Sequence, residues 1–164
     1  MPQVQYEALW CITNIATGTQ DQVQCLVDKE VIPKLINLIQ TEGDNIKELA
    51  IWALGNIAGD NKVFRDIVLS CNMVAVLLDV LVNTKSKEIL KIACWLFRNL
   101  VNGKQNLKID KAIPILCKLI KENEDKEILK GAFYVLMKLC STEGSYVPIL
   151  VEQKILPRLI QLLK

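Results

Sequence analysis

Residues 50–60 read Ala50-Ile51-Trp52-Ala53-Leu54-Gly55-Asn56-Ile57-Ala58-Gly59-Asp60, an apolar stretch in which a tryptophan stands four residues ahead of an asparagine. The same pair occurs at Trp10 and Asn14 and again at Trp95 and Asn99. Trp52 follows Trp10 by 42 residues, and Trp95 follows Trp52 by 43. A period of this length that returns with the same side chains marks a helical repeat protein. Residues four apart on an α-helix share a face about one turn apart, so each Trp projects beside its Asn. Stacked, three such helices make a row.

A second pattern surrounds the first. Val31-Ile32-Pro33-Lys34-Leu35-Ile36-Asn37-Leu38-Ile39, Ala112-Ile113-Pro114-Ile115-Leu116-Cys117-Lys118-Leu119-Ile120 and Ile155-Leu156-Pro157-Arg158-Leu159-Ile160-Gln161-Leu162-Leu163 each read as a helix with proline in its first turn. There the missing N–H costs nothing. A further copy runs from Met73 through Ala75 to Leu81, with alanine in place of proline. Charged, turn-forming stretches (Thr41 to Asn45, Thr84 to Lys87, Glu122 to Lys126) lead into the Trp-bearing helices, which are expected to stop near Gly18, Gly59 and Gly103. No sustained period-2 alternation and no hairpin dipeptide between apolar runs is present. The expectation is an all-α solenoid.

The ladder suggests its own chemistry. An Asn amide has a donor and an acceptor, which suits it to hold one peptide unit of an extended chain at both its N–H and its C=O. Indole faces attract cations and pack against methylenes, so slots between successive Trp rings would suit the stems of Lys or Arg. The plainer reading makes each Trp a core residue and each Asn a polar tie from repeat to repeat. Three copies in register favour ligand binding, because Leu, Ile, Val and Ala at other positions already supply a core.

The chain opens inside a Trp-bearing helix, from about Val4, and closes after a proline-started helix at Lys164. Each end is expected to leave an apolar face uncovered, since solenoid ends need polar caps. This suits either an excised fragment or a short protein that pairs end to end.

The residues from Gln5 to Thr19 and from Ala50 to Asp60 resemble successive armadillo repeats of importin alpha (karyopherin alpha), the nuclear-import adaptor family. The resemblance spans essentially the whole chain, in the register of that family's second to fifth repeats, and Arg65 to Asn72 continues it. It implies a right-handed superhelical armadillo solenoid of about four repeats, truncated within a repeat at both ends, with residues 1–164 as one domain. It also implies a groove for nuclear localisation signals. In it Trp slots hold basic side chains, Asn residues hold the peptide backbone, and an acid at the position of Asp60 receives a key lysine. The peptide-binding residues implied are Trp10, Asn14, Gly18, Trp52, Asn56, Asp60, Trp95, Asn99, Glu127 and Tyr134.

This chain departs from the family in several places. Tyr134 and Lys138 stand where the earlier helices have Trp and Asn. Leu49, Ile92 and Gly131 stand where polar or acidic groups are frequent, and Val23 replaces a threonine that helps line the key lysine pocket. A lysine on the groove face would repel a basic peptide, so binding is expected to concentrate on Trp10 to Asn99.

Composition sets further bounds. The 164 residues are 51% hydrophobic and can bury a core, and no long polar linker divides them. No apolar run of about 18 residues and no signal-peptide pattern is present, so neither a membrane span nor secretion is expected. A net charge of +2 with interspersed signs gives little support to nucleic-acid binding. For a basic ligand the acids must be local, and Glu7, Asp21, Glu48, Asp60, Glu88 and Glu127 are the candidates. The six cysteines lack C-x-x-C spacing and read as small buried thiols of a reducing compartment rather than a disulfide framework. With no histidine, no Cys-His or Ser-His pair can form, zinc would rest on scattered thiolates, and the glycines make no phosphate loop. No enzyme activity, cofactor or metal is expected.

Two function classes remain. One is an import adaptor for basic, extended signal peptides, working between cytoplasm and nucleus; the sequence leaves open whether it reads one basic cluster or two. The other is an armadillo scaffold for a different protein partner, or one that assembles through its ends. The family's basic segment that binds importin beta is not in this sequence, so importin beta is not an expected partner of this chain alone.

Overall fold

The structure is a computed structural model and describes residues 2–104, 109–141 and 146–164. Among these every regular element is an α-helix, in two compact units, Met1–Leu100 and Val101–Lys164.

The first unit contains α1 (Pro2–Ile15), α2 (Gln20–Asp28), α3 (Val31–Thr41), α4 (Asp44–Asp60), α5 (Lys62–Ser70), α6 (Met73–Asn83) and most of α7 (Lys87–Val101). After α1 the order short, middle, long occurs twice, as α2–α3–α4 and α5–α6–α7. The Trp/Asn pairs all lie on long helices. α4 is central and packs against α1, α3 and α5. Leu49, Ala50, Ile51, Ala53, Leu54 and Ile57 of α4 are buried, as are Ile32, Leu35 and Ile39 of α3 and Phe64, Val68, Met73 and Leu77 of α5 and α6.

In the second unit α8 (Ala112–Glu122) packs on α9 (Lys126–Cys140), followed by the short α10 (Val147–Glu152) and by α11 (Leu156–Leu162). Asp125 caps α9 by accepting from the backbone N–H groups of Glu127 and Ile128. Arg158 is buried and ties α11 to the end of α8. It donates to the carbonyls of Ile120 (3.0 Å) and Asn123 (2.8 Å) and pairs with Glu124 at 2.9 Å.

The proline-started helices form as expected, with Pro33, Pro114 and Pro157 in the first turns of α3, α8 and α11. The junction before a middle helix carries a feature the sequence did not reveal. Before α3, α6 and α11, Glu30, Asn72 and Lys154 have positive φ (54°, 60° and 51°), so a left-handed residue turns the chain there without a glycine, whereas Lys111 before α8 is right-handed at φ -63°. Of the expected glycine stops, Gly103 ends α7 with φ 70° and Gly18 follows α1. Gly59 is the last residue but one of α4, which ends at Asp60, so this helix too stops where expected. Gly59 is also a place of close approach, where a Cβ would sit 3.0 Å from the Asn99 amide nitrogen.

The cysteine reading needs correction. Only Cys94 and Cys117 are buried; Cys71 and Cys140 are half-buried, and Cys11 and Cys25 are exposed on their helices. Apolar neighbours in sequence did not settle which helix face each thiol takes. Among the described residues no single helix is long and apolar enough to cross a membrane.

Candidate functional site

The three Trp/Asn pairs fall within the first unit, on α1, α4 and α7. Each pair spans one helical turn, and on α4 the series continues by another turn to Asp60, so Trp52, Asn56 and Asp60 form one stripe. Trp10 and Trp52 are exposed, at 40% and 38%, which is unusual for indoles in a chain this rich in aliphatic core residues. Trp95 is half-buried.

The asparagines differ in how they are held. The Asn99 amide donates to the Gly55 carbonyl on α4 at 3.0 Å, whereas the Asn56 amide reaches the Thr13 carbonyl on α1 only at 3.5 Å. The plainer reading of the asparagines as ties between repeats therefore holds for Asn99 and weakly for Asn56. It does not exclude a ligand. One N–H is used, while the second N–H and the carbonyl oxygen are still available to a peptide, and the existing bond fixes the amide orientation in advance. Asn14 is exposed, and its side chain has no hydrogen-bond partner among the described residues.

The tryptophans differ too. Trp95 lies against α4 where Gly55 leaves no side chain in its way. At the matching place on α1 stands Thr13, buried, with its hydroxyl donating to the Leu9 carbonyl at 2.9 Å. There the next indole, Trp52, meets Trp10 edge-to-face, with ring centroids 5.8 Å apart and planes at 87°. This corrects the expectation of open slots between all successive rings. The Trp10–Trp52 gap is closed, and a lysine stem could enter only by parting the pair. Beside it lies an open pocket lined by Gln3, Tyr6, Trp10, Asn45, Glu48, Leu49 and Trp52. Glu48 thus places a half-buried carboxylate at the indoles, one turn before Trp52.

Asp60 ends α4. Its carboxylate accepts from the Asn61 amide at 2.7 Å, while Asn61 caps α5 through the N–H groups of Val63 and Phe64. A carboxylate held at the negative end of a helix is a favourable place for a cation. Gly18 is exposed just after α1. Val23 is wholly buried in α2, so its side chain lines no surface pocket.

The other acid candidates separate clearly. Glu88 pairs with Lys91 at 3.0 Å, and in the second unit Glu127 pairs with Lys130 at 2.8 Å, so a lysine on the same helix already meets each charge. Glu7 accepts from Gln3, and Asp21 is exposed in the first turn of α2. In the second unit Tyr134 donates to Asn102 Oδ1 at 2.8 Å, and the Lys138 ammonium lies 5.7 Å from the Tyr134 ring centre. A cation of the chain itself thus occupies that aromatic face. Among the described residues no group of acidic or cysteine side chains is arranged to hold a metal ion.

Tyr6 and Gln3 line this site, and the buried Gly55 and Thr13 lie beneath its indoles; none of the four was singled out from sequence. Gly55 had a signal, a glycine inside an otherwise strong helix.

Comparison with known proteins agrees with the all-helical repeat fold. The HEAT-like repeat family matches residues 2–57. Importin subunit alpha-1b of Oryza sativa subsp. japonica is 33% identical over 164 residues, covering 99% of this chain and 31% of the relative. Importin subunit alpha-2 of Arabidopsis thaliana is 34% identical over 166 residues, again covering 99% and 31%. This chain therefore spans about a third of the length of the curated relatives it matches. Among solved structures, a designed armadillo repeat protein in complex with the peptide (KR)4 matches with a TM-score of 0.80 at 26% identity, over 96% of this chain and 66% of that one. A computationally designed armadillo repeat protein for modular peptide recognition matches with a TM-score of 0.85 at 24% identity, over 98% and 68%. None of these is named as an enzyme. The chain has the armadillo-repeat fold and, along almost all of its length, is similar to a segment of importin subunit alpha.

Proposed function

We propose that the chain, acting as one armadillo-repeat domain, binds extended basic peptides of the nuclear localisation signal type along α1, α4 and α7, as part of an import adaptor that moves between cytoplasm and nucleus. The observation that carries this reading is the Trp/Asn ladder itself. Three identical pairs lie on long helices of one unit, with two indoles exposed and the Asn99 amide fixed in orientation by the Gly55 carbonyl. The importin alpha relatives and the designed repeat protein that holds a Lys/Arg peptide support it. Asn14, Asn56 and Asn99 would hold the peptide backbone, Asp60 and Glu48 would receive cationic heads, and Trp52 and Trp95 would flank the stems.

A second reading, an armadillo scaffold for another partner, draws support from the closed Trp10–Trp52 pair, which removes one slot for a basic stem. Anisotropy titration of a labelled lysine-rich signal peptide separates the two when run beside a scrambled peptide of equal charge. Order-dependent binding that vanishes in a Trp52→Ala/Asn56→Ala chain supports the adaptor. Equal binding of both peptides, or none, favours the scaffold.

A further inference from the structure

Four residues before each ladder aromatic stands a different side chain: Tyr6 before Trp10, Glu48 before Trp52, Lys91 before Trp95 and Lys130 before Tyr134. On a helix this places each on the same stripe as its aromatic, one turn earlier. The two lysines are already paired, Lys91 with Glu88 at 3.0 Å and Lys130 with Glu127 at 2.8 Å. Glu48 is not. It is half-buried, and its carboxylate has no hydrogen-bond or ionic partner among the described residues. At this position an unpaired acid therefore meets the aromatics once, between α1 and α4.

There Tyr6, Trp10, Glu48, Leu49 and Trp52 line one pocket of about 270 Å³. The two indoles stand at 87° with centroids 5.8 Å apart. An edge-to-face pair forms a corner on either side of the standing ring, and each corner is bounded by a π face of both rings. Because both rings line the pocket, the pocket fills one such corner. Tyr6 adds a third aromatic wall, and the buried Leu49 an apolar one. Trp52, on the central helix of its unit, is 38% exposed and Trp10 is 40% exposed, so both walls are open to a ligand.

π faces attract a cation, and more strongly once it has shed its water. A plain lysine ammonium is compact and strongly hydrated, and it brings three N–H donors that aromatic walls cannot satisfy. The pocket offers them one carboxylate and the exposed amides of Gln3 and Asn45, of which Gln3 is turned to Glu7 at 2.6 Å. Methylation keeps the charge of lysine while replacing donors with apolar groups. A dimethylated lysine has one N–H for the one carboxylate and two methyl groups for the rings.

We propose that this pocket takes a methylated lysine of the bound peptide, dimethyllysine best, with Glu48 accepting its one N–H and Tyr6, Trp10 and Trp52 surrounding its methyl groups. The inference rests on the peptide-binding reading above and adds a selectivity to it: methylation of one lysine in the peptide strengthens binding. The head enters the corner beside the indole pair, without parting the two rings.

Anisotropy titration of a labelled lysine-rich signal peptide tests this, run with the unmodified peptide and with dimethyllysine at each lysine in turn. One methylated peptide is expected to bind the parent about fivefold tighter than the unmodified one, and the others no tighter. In Tyr6→Leu that preference should vanish. Each chain serves as its own reference, so the ratio does not depend on how far the substitution weakens binding as a whole. Binding of the unmodified peptide with no methylated form tighter would overturn the proposal and leave the peptide-binding reading standing. A gain that is equal at every lysine, or that persists in Tyr6→Leu, would do the same. If no peptide binds, the peptide-binding reading fails, and a free probe decides the pocket. The amide of N-acetyl-dimethyllysine is expected to shift the indole N–H signals of Trp10 and Trp52 in proton–nitrogen NMR spectra, leaving that of Trp95 in place, at concentrations where the amide of N-acetyl-lysine does not. Shifts that are absent, or equal for the two probes, would overturn the proposal on their own.

Discussion

The indole of Trp95 lies on the backbone of Gly55, at a place where any Cβ on residue 55 would collide with the ring. The same residue offers its carbonyl to Asn99, one turn beyond Trp95. One glycine thus seats both members of a ladder pair. An alanine inside a helix ordinarily adds about 1 kcal/mol over glycine. Here overpacking of about 1–3 kcal/mol works against it. Gly55→Ala should therefore give no stability gain in urea, with a net loss of about 1 kcal/mol, and should shift the tryptophan fluorescence to the red as Trp95 turns outward. A gain near the full helix-propensity value would show that the contact carries no energy.

Asn99 and Asn56 should separate in stability although they resemble each other in sequence. The 3.0 Å bond from Asn99 to Gly55, half-buried, is worth about 1 kcal/mol, and that is the expected loss in Asn99→Ala. The 3.5 Å approach of Asn56 to Thr13 lies at the limit of a hydrogen bond, so Asn56→Ala should change urea stability by less than about 0.5 kcal/mol. Each is expected to weaken peptide binding by about 1–2 kcal/mol through the lost amide contact. Parallel denaturation and titration of the two variants decide the point; equal stability losses would contradict the geometry.

The edge-to-face pair of Trp10 and Trp52 should appear as a coupling energy. Aromatic pairs of this kind contribute about 0.5–1.5 kcal/mol beyond area burial. A double-mutant cycle on Trp10→Leu and Trp52→Leu, measured by urea denaturation, should return a value in that range. Trp52 is also the middle rung, so Trp52→Ala is expected to reduce peptide affinity by at least about tenfold, more than Trp10→Ala does. Additive stability losses would mean that the rings merely adjoin.

Much of this was legible in the residues because a period of about 42 positions repeats the same side chains. The period, with Pro33, Pro114 and Pro157 in first turns, gave the helices and their order. It could not give what depends on the residue across the joint. Whether an indole lies down or stands out turns on Gly55, 40 residues before Trp95, against Thr13, 39 residues before Trp52. Whether a cysteine is buried turns on the helix face it takes, so Cys11 and Cys25 were misjudged while Cys94 and Cys117 were not. Acids on helices were legible as candidates, but the lysines that neutralise Glu88 and Glu127 required side-chain geometry.

Alkaline pH should destabilise the chain partly through Cys94. Burial pushes its thiol up to about 12, whereas an unfolded thiol ionises near about 8.5. Between these values the unfolded chain gives up the proton and the folded chain keeps it. Stability is therefore fully present below about pH 8.5 and falls by about 1.4 kcal/mol per unit above it until the folded value is reached. Cys94→Ala should flatten this slope relative to the parent between about pH 9 and 11, by denaturant titration, whatever it costs at neutral pH. Identical slopes would mean that the folded thiol ionises freely. At neutral pH a thiol reagent should modify Cys11 and Cys25 rapidly, and Cys94 and Cys117 only after unfolding.

Asn61 and Asp60 form a linked pair in which stability and ligand charge can be told apart. Asn61 Oδ1 caps α5, and its amide fixes the Asp60 carboxylate at 2.7 Å. Removing the cap in Asn61→Ala should cost about 0.5–2 kcal/mol of stability, with affinity for a basic peptide falling only as far as Asp60 loses its fixed orientation. Asp60→Lys leaves the cap in place and reverses the charge at the end of α4. It should leave thermal stability almost unchanged or slightly improved, because a cation suits a helix C-terminus. Yet it should reject lysine-bearing peptides by like-charge repulsion, most strongly at low salt, while a control peptide with its lysines acetylated should bind the variant and the parent equally. Titration of both peptides against both chains at two salt concentrations measures this. If the variant still takes the basic peptide with parental affinity at low salt, Asp60 does not receive the cation, and Glu48 beside Trp10 and Trp52 becomes the carboxylate to replace next.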